Sequence, residues 1–417
     1  MKRVALAAAM LASTTSITLA QTSPSAPLTL SVAIAQADAN NFDVAAARHA
    51  VDVARAVLTQ TAPSPLQAQV APGVTQDVPQ GLGALQTFSA SASQQFSPAI
   101  GAQRSAAASG VDVALAQFAE IRRDVDLRVA TTYYALASAQ AVVAAATASV
   151  ENAKQLEGGA ALRAKVGAVG KFEVLRAQVE LRRAQTDLLR AQASERSDQI
   201  ALDVLLGLPT EQRNTVLLPA GTAPVPDTKS LYAKAERIDP QLAQFRASIA
   251  QAVAQQRAAT LQRAPTIGLS GGYLFQRVPR FGGAISRGGT ASVTFSLPLF
   301  DYGTIRGAVR EAHARADVAR AQYQGRDAQL HADIEQTVGD IESAKARLEF
   351  SRASLDQARE ALRLAQFGYT RGALGVLDVL SARNELAAAQ SEVTQASADL
   401  GASLARLALL VGEPLTP

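Results

Sequence analysis

The chain contains no cysteine and no tryptophan. Without cysteine, disulfides, thiolate metal sites and a lipidated N-terminal Cys are all excluded. Aromatic residues are only 5% although hydrophobic residues reach 48%; much of the apolar content is alanine, so the chain packs through small side chains. Neither sign of charge is in large excess. The formal net charge of +4 falls to +2 once Lys2 and Arg3 are set aside, which is too small to argue for a nucleic-acid partner. Past the N-terminus no window has the roughly 18 consecutive apolar residues of a transmembrane helix. A membrane part, if there is one, must be made of strands.

Chemistry is scarce too. The three histidines, His49, His313 and His331, show no metal-ligand spacing. The stretch GAVGKF (167–172) glances at a phosphate loop, but its glycine spacing is wrong and Phe172 stands where Ser or Thr is needed. No nucleophile, base and orienter set is present. The reading is a protein that is not an enzyme and needs no metal or cofactor. Arginine pairs such as Arg122-Arg123 and Arg182-Arg183 read as solvated or lumen-facing helix surfaces.

What is there begins with an export signal. Lys2 and Arg3 form a basic start, Val4 to Ala12 is apolar, and Thr18-Leu19-Ala20 offers small residues for cleavage before Gln21. Residues 1–20 are therefore assigned as a signal peptide and 21–417 as the mature protein.

The mature part writes one large unit twice. VGAVGKFEVLRAQ (166–178) and RGALGVLDVLSAR (371–383) align at an offset of 205 residues, Gly167 with Gly372 and Gly170 with Gly375. The same offset pairs VDVALAQF (111–118) with ADVARAQY (316–323), and LLGLP (205–209) with LVGEP (410–414). Further upstream VAAARHAVDVA (44–54) resembles LAQFRASIAQA (242–252), and Pro65 answers Pro265. The repeats span about 41–211 and 239–414, and such internal repetition outranks a domain count taken from length.

Proline is missing from Ala99 to Leu208 and from Leu299 to Glu413, so helix can run uninterrupted there. In the second copy Ile334, Ile341, Leu348, Leu355, Leu362 and Tyr369 recur every seven residues. Thr337, Ala344, Ser351, Ala358 and Ala365 follow the first five by three. After the glycines, Val379, Leu386, Val393, Leu400 and Leu407 continue the period with Ala382, Ala389, Ala396 and Ser403. The first copy repeats it through Val129, Leu136, Val143 and Val150, then Val174, Leu181, Leu188 and Leu202, with Glu157 and Glu195 interrupting. A strict seven-residue period predicts left-handed coiled-coil packing. A helix from about Gly101 to Lys165 reaches roughly 97 Å, and the glycine pairs mark where it ends and an antiparallel one begins.

Between the helical stretches the period becomes two. TASVTFSLPLF (290–300) and TIGLSGGYLFQ (266–276) alternate clearly; Leu66, Ala68 and Val70, and Phe88, Ala90, Ala92 and Phe96, alternate more weakly. Strands are expected near 64–72, 84–97, 265–276 and 290–300, each about the length of a transmembrane β-strand. A soluble hairpin packed on the helices accounts for any one of them. Four in an exported chain without a membrane helix favour the bilayer, where open sheet edges are not tolerated, so several chains would have to share a barrel. The loops at 74–83 and 277–289 would lie outside, with Arg277, Arg280 and Arg287 either meeting lipid phosphates or merely solvated.

With the paired repeat, the SLPLFDYG stretch (296–303) and the two glycine turns in view, nearly the whole mature chain resembles the TolC family of outer-membrane efflux channels. The resemblance implies a mainly α fold with a small membrane β part. Long antiparallel coiled-coil helices form an α-barrel tunnel in the periplasm, and four strands per chain join a shared twelve-stranded trimeric β-barrel in the outer membrane. It implies a homotrimer with a periplasmic adaptor, an inner-membrane pump reached through that adaptor, and outer-membrane lipid as partners. The function implied is the passive exit channel of a tripartite efflux or type I secretion system, whose pump and adaptor choose among drugs, metal ions and polypeptides. Val166, Gly167, Ala168 and Val169, with Gly372, Ala373 and Leu374, would be adaptor-docking tips. Glu173 and Asp378 would gather as a ring of carboxylates at a periplasmic constriction; the alternative is first-turn acids stabilising a helix N-terminus. Ser381 stands where a second acidic residue can occur in that family, and Leu374 where a basic gating residue can. The reading of another class is a non-conducting periplasmic coiled-coil scaffold that bridges the envelope.

Overall fold

The computed structural model describes residues 28–61, 66–75, 85–209, 215–216, 227–278 and 284–413. The predicted signal peptide, Pro65, Arg280 and residues 76–83 and 279–283 of the expected outer loops lie outside the described residues, while 277–278 and 284–289, expected in the second loop, are strand instead. The chain runs α1 (Leu30–Asn40), α2 (Phe42–Gln60), β1 (Gln67–Thr75), β2 (Leu85–Phe96), α3 (Ala99–Lys165) and α4 (Lys171–Leu206). The same string then recurs as α5 (Thr228–Ile238), α6 (Pro240–Leu261), β3 (Thr266–Val278), β4 (Ala284–Ser296), α7 (Thr304–Thr370) and α8 (Val376–Val411). Each repeat thus opens with a short helix, α1 or α5, that the sequence pattern did not separate. The breaks fall at equivalent caps: Asn41 Oδ1 accepts from the N–H groups of Asp43 and Val44, and Asp239 Oδ1 accepts from Leu242 at 2.9 Å ahead of Pro240 at the first turn of α6.

Helices α3 and α7 each have 67 residues, about 100 Å at 1.5 Å per residue. The seven-residue seam is their packing face. Ile334, Ile341 and Leu348 are buried together with the small Thr337, Ala344, Ser351, Ala358 and Ala365, and α8 answers with buried Val379, Ala382, Ala389, Ala396 and Leu400. In the first copy Val129 and Leu136 are fully buried, whereas α4 contributes mainly Ala177, Ala184 and Leu202. One window of α3 has the length and mean hydropathy, 1.2, to cross a membrane. Within the molecule 44% of that window is buried, and Tyr133, Leu136 and Ala137 of α3 join a core with Leu30, Ala33, Leu202, Ala398 and Ala405.

Helix α3 lies between α4 and α8 along its far part and between α2 and α6 nearer the sheet, while α6 also packs on α7. The two repeats are joined by charge at their middle. Asp239, its side chain 0% exposed, receives Arg326 Nη2 at 2.8 Å and Arg123 Nη1 at 3.0 Å, and Arg326 also reaches Asp333 at 2.9 Å. Burial alone would raise the Asp239 carboxyl, but hydrogen bonds from Arg326 and the Leu242 N–H, with the Arg123 charge, outweigh it and hold it below the usual carboxylate range.

The four strands form one antiparallel sheet in sequential order with β1 and β4 at its edges. Pro72 is tolerated in β1 because an edge strand need not donate on both sides. Strand β4 begins at Ala284 and stops at Ser296, earlier at both ends than the alternating segment 290–300. Ser296 pairs with Thr266, the first residue of β3, so Leu297 to Phe300 have no partner strand, and Pro298 has no N–H to offer one.

Asp126 of α3 is buried with Oδ1 unpartnered. Burial, then the nearby Asp38, push its carboxyl up to about 7 against the pull of Arg122. A folded value above the unfolded ~3.9 gives stability that is fully present below the unfolded value and is lost as pH rises through about 7. The Asp126→Asn variant should therefore be more stable than wild type at pH 8, by up to about 4 kcal/mol, with the difference vanishing near pH 4, as read by melting followed by circular dichroism in detergent.

Candidate functional site

Two regions present surfaces that a single chain leaves unsatisfied: the two hairpin tips and the sheet. At each tip the long helix ends in the same way. The N–H of Ala168 bonds to Arg163 O at 2.9 Å and that of Gly167 to Ala164 O at 3.1 Å; Ala373 and Gly372 repeat this onto Gly368 O at 2.9 Å and Tyr369 O at 3.1 Å. This paired closure places one residue in the left-handed region, and Gly167 and Gly372 sit there with φ of 72° and 74°. Gly170 and Gly375 then start the returning helices with extended backbone. Val166, 75% exposed, with Gly167, Ala168, Gly372, Ala373 and Leu374 face solvent, and Val169 is half-buried.

The tips are alike but not identical. In the second, the Leu374 side chain lies over Gly368, where a Cβ would stand 2.7 Å from its Cδ1. In the first, Arg163 takes the place of Gly368, and its guanidinium lies 4.5 Å from the centre of the Tyr369 ring. That contact ties the first hairpin to the second, and only the alignment of Arg163 with Gly368 hints at it in the sequence.

The two carboxylates occupy equivalent first turns. Glu173 is half-buried in α4, and Asp378 is exposed in α8, its Oδ2 accepting the Gly375 N–H at 2.8 Å. Asp378 thus caps its own helix, while its exposure leaves the carboxylate open to the solvent side. Ser381 bonds locally to Glu385 at 3.3 Å.

The sheet has two unlike faces because opposed residues share a side. Phe96, Ile267 and Phe295 lie in one row, Ala92, Gly271 and Ala291 in the next but one, and Pro72, Phe88 and Phe275 further along. Val70, Val293 and Phe295 on this face are 63%, 73% and 65% exposed. Arg277 and Arg287 fall on the same face, at the end away from the helices. The opposite face carries Gln67, Gln69, Ser89, Ser91, Ser93, Ser270, Ser292 and Thr294, and no Asp, Glu, Lys or Arg among the described residues. Where it meets α2 and α3, Gln60, Gln67, Gln95 and Gln103 line an open cavity of ≈ 610 Å³. Beyond β4, Leu299, Phe300 and Tyr302 stand 88%, 75% and 90% exposed. Tyr302 holds a φ of 48°, rare for a bulky residue, and its ring meets Phe300 edge-on at 4.6 Å. The SLPLFDYG motif marked this junction in the sequence, but not its exposure.

Residues 231–413, the second repeat, match the model of the outer membrane efflux protein family. No curated protein matches the chain. Among solved structures, the CmeC outer membrane channel of Campylobacter jejuni superposes with a TM-score of 0.77 at 18% identity, over 92% of this chain and 85% of that one. The outer membrane protein VceC of Vibrio cholerae gives 0.73 at 21% identity, over 93% and 97%. The open state of the MtrE outer membrane channel of Neisseria gonorrhoeae gives 0.74 at 19% identity, over 93% and 89%. The chain has the fold of these channels.

No atom lies within 4 Å of the position a Cβ would take at Gly167 or Gly372, so substitution there meets backbone strain alone. Gly167→Ala and Gly372→Ala are each expected to cost about 1–2 kcal/mol locally, seen as faster amide exchange in the last turn of α3 or α7 with the core unchanged.

Proposed function

We propose that this protein is the outer-membrane exit channel of a tripartite efflux or type I secretion system, with its helical tunnel in the periplasm. It conducts passively what an inner-membrane pump delivers through a periplasmic adaptor. The observation that carries the reading is the sheet: four strands with an exposed apolar face, an uncharged polar face and two open edges, set at one end of helices about 100 Å long.

A β-structure in lipid must pair every backbone group. The open edges at β1 and β4 are satisfied when β4 of one chain pairs with β1 of another, and three chains of four strands close a twelve-stranded barrel. Its apolar face meets acyl chains, and its Ser, Thr and Gln face lines the passage. Along β3, Ile267 to Arg277 spans about 33 Å of strand, which at a 45° tilt covers roughly 23 Å, close to the apolar band of such barrels. Arg277 and Arg287 then meet outer phosphates, and Phe300 with Tyr302 sits at the inner water boundary, where aromatic rings are favoured.

At the far end, a trimer presents six similar tips. Val166, Gly167, Ala168 and Val169 with Gly372, Ala373 and Leu374 are the docking surface for the adaptor, and small residues there admit close backbone approach. Glu173 and Asp378, once per hairpin, form the acidic ring at the constriction, which favours cations.

Purified protein in planar bilayers should conduct, with cation preference reduced in the Glu173→Gln, Asp378→Asn double variant. Protein that inserts and never conducts, the variant included, refutes the channel. Replacing Gly167 and Gly372 by arginine should abolish crosslinking to the adaptor while trimers persist; undiminished crosslinking would remove the docking assignment.

A further inference from the structure

The repeat makes the chain its own control. At the 205-residue offset Arg383 of α8 answers Gln178 of α4, Leu362 of α7 answers Glu157 of α3, and Glu385 of α8 answers Glu180 of α4. In the first hairpin Gln178 Nε2 donates to Glu157 Oε1 at 3.3 Å, so that polar pair is closed between α3 and α4. In the second, Leu362 replaces the acceptor, and Arg383 reaches across to the other hairpin, where its Nη1 donates to the Asn152 backbone carbonyl of α3 at 2.9 Å. The carboxylates differ in the opposite sense. Glu385 accepts from Ser381 Oγ at 3.3 Å. The counterpart of Ser381 is Arg176, whose guanidinium lies 5.9 Å from the centre of the Phe172 ring, and Glu180 makes no hydrogen bond or ion pair among the described residues.

Both released charges border one cavity. Where the two hairpins meet, Asn152 of α3, Glu180 of α4, Leu362 of α7 and Leu380, Arg383 and Asn384 of α8 help to line a cleft of ≈ 100 Å³. Arg383 and Glu180 are each half-buried, yet they form no ion pair with each other. Burial holds the Arg383 guanidinium below its ordinary value, and no carboxylate offsets that. Opposite charges that face one cavity without meeting suit a ligand that carries both.

We infer that this cleft binds a free aliphatic α-amino acid as its zwitterion. The carboxylate lies in the remaining N–H fork of Arg383, the geometry in which a guanidinium holds carboxylates best, with the Asn384 amide beside it. The ammonium goes to Glu180, and the side chain rests on Leu362 and Leu380. A simple anion would be repelled by Glu180, and a simple cation by Arg383, so neither answers both walls. Size agrees. A water-sized group occupies about 10–15 Å³ of such a volume, so a cleft of ≈ 100 Å³ holds roughly seven to ten non-hydrogen atoms, which admits valine or leucine and excludes tryptophan. The site lies within one chain and needs neither a second copy nor a conducting pore.

Isothermal titration of the full-length protein in detergent with L-leucine tests the site, beside isocaproate, which lacks the ammonium, and isoamylamine, which lacks the carboxylate. Leucine is expected to bind saturably, about ten- to a hundredfold tighter than either analogue. Glu180→Gln and Arg383→Gln should each weaken it by a similar factor, while Glu385→Gln, altered at the counterpart of Glu180, should bind as wild type does. If Arg383→Gln fails to fold, the two analogues on the wild-type protein still decide the matter. Absence of saturable leucine binding, with water alone in the cleft, overturns the site. Isocaproate binding as tightly as leucine, with Glu180→Gln indifferent, also overturns the assignment and leaves an anion pocket. Conductance in planar bilayers, recorded on the same preparation, judges the channel separately.

Discussion

Close approach of very long helices is the constraint on which the rest depends. A helix of 67 residues can pack along the whole of its 36-residue returning partner only if the seam keeps a seven-residue period and alternates large with small side chains. Where Ala344, Ala358, Ala382, Ala389 and Ala396 are buried, the backbones lie near each other without a wide aromatic core. The sparse aromatic content is thus a packing choice, and it frees the remaining helix faces for other neighbours.

The rod needs one firm connection between its halves, and Asp239 supplies it. Arg123 comes from the first repeat, Arg326 from the second, and both converge on a carboxylate with no exposed surface. Removing one partner of such a buried group strands the others, at a cost of about 3–5 kcal/mol. The same Asp caps α6, so fixing the helix start and joining the repeats are one event. The equivalent Asn41 caps α2 and donates to Leu205 O at 2.9 Å, a neutral cap whose contact stays within the first repeat. Only the second repeat carries the charged one.

Much of this was legible in the residues themselves. The seam positions from Ile334 to Ala365, the glycine turns and the strand alternation have short periods and a strong physical cause, so they can be read without knowing any partner. The ends of the strands were less legible: Ser296 terminates β4 because β3 starts at Thr266, and a pairing limit set by another strand leaves no local mark. Helices α1 and α5 were missed because their caps, Asn41 and Asp239, interrupt helical patterning with residues that are also at home inside a helix surface. At the tips, the glycines were evident, whereas the Arg163 contact with Tyr369 joins residues far apart in sequence.

The sequence by itself determined the repeat, the helical rods, the two-faced strands and the turns, since each follows from periodicity or from the backbone freedom of one residue type. Tertiary structure alone decided that α8, and not another helix, covers the second side of α3. It also decided that Arg123 and Arg326 share Asp239, and that α4 and α7 keep their outer faces open. The reason is that such choices are made between residues brought together from distant parts of the chain. A helix surface states what it can pack against, and only the arrangement of all its neighbours decides what it does pack against.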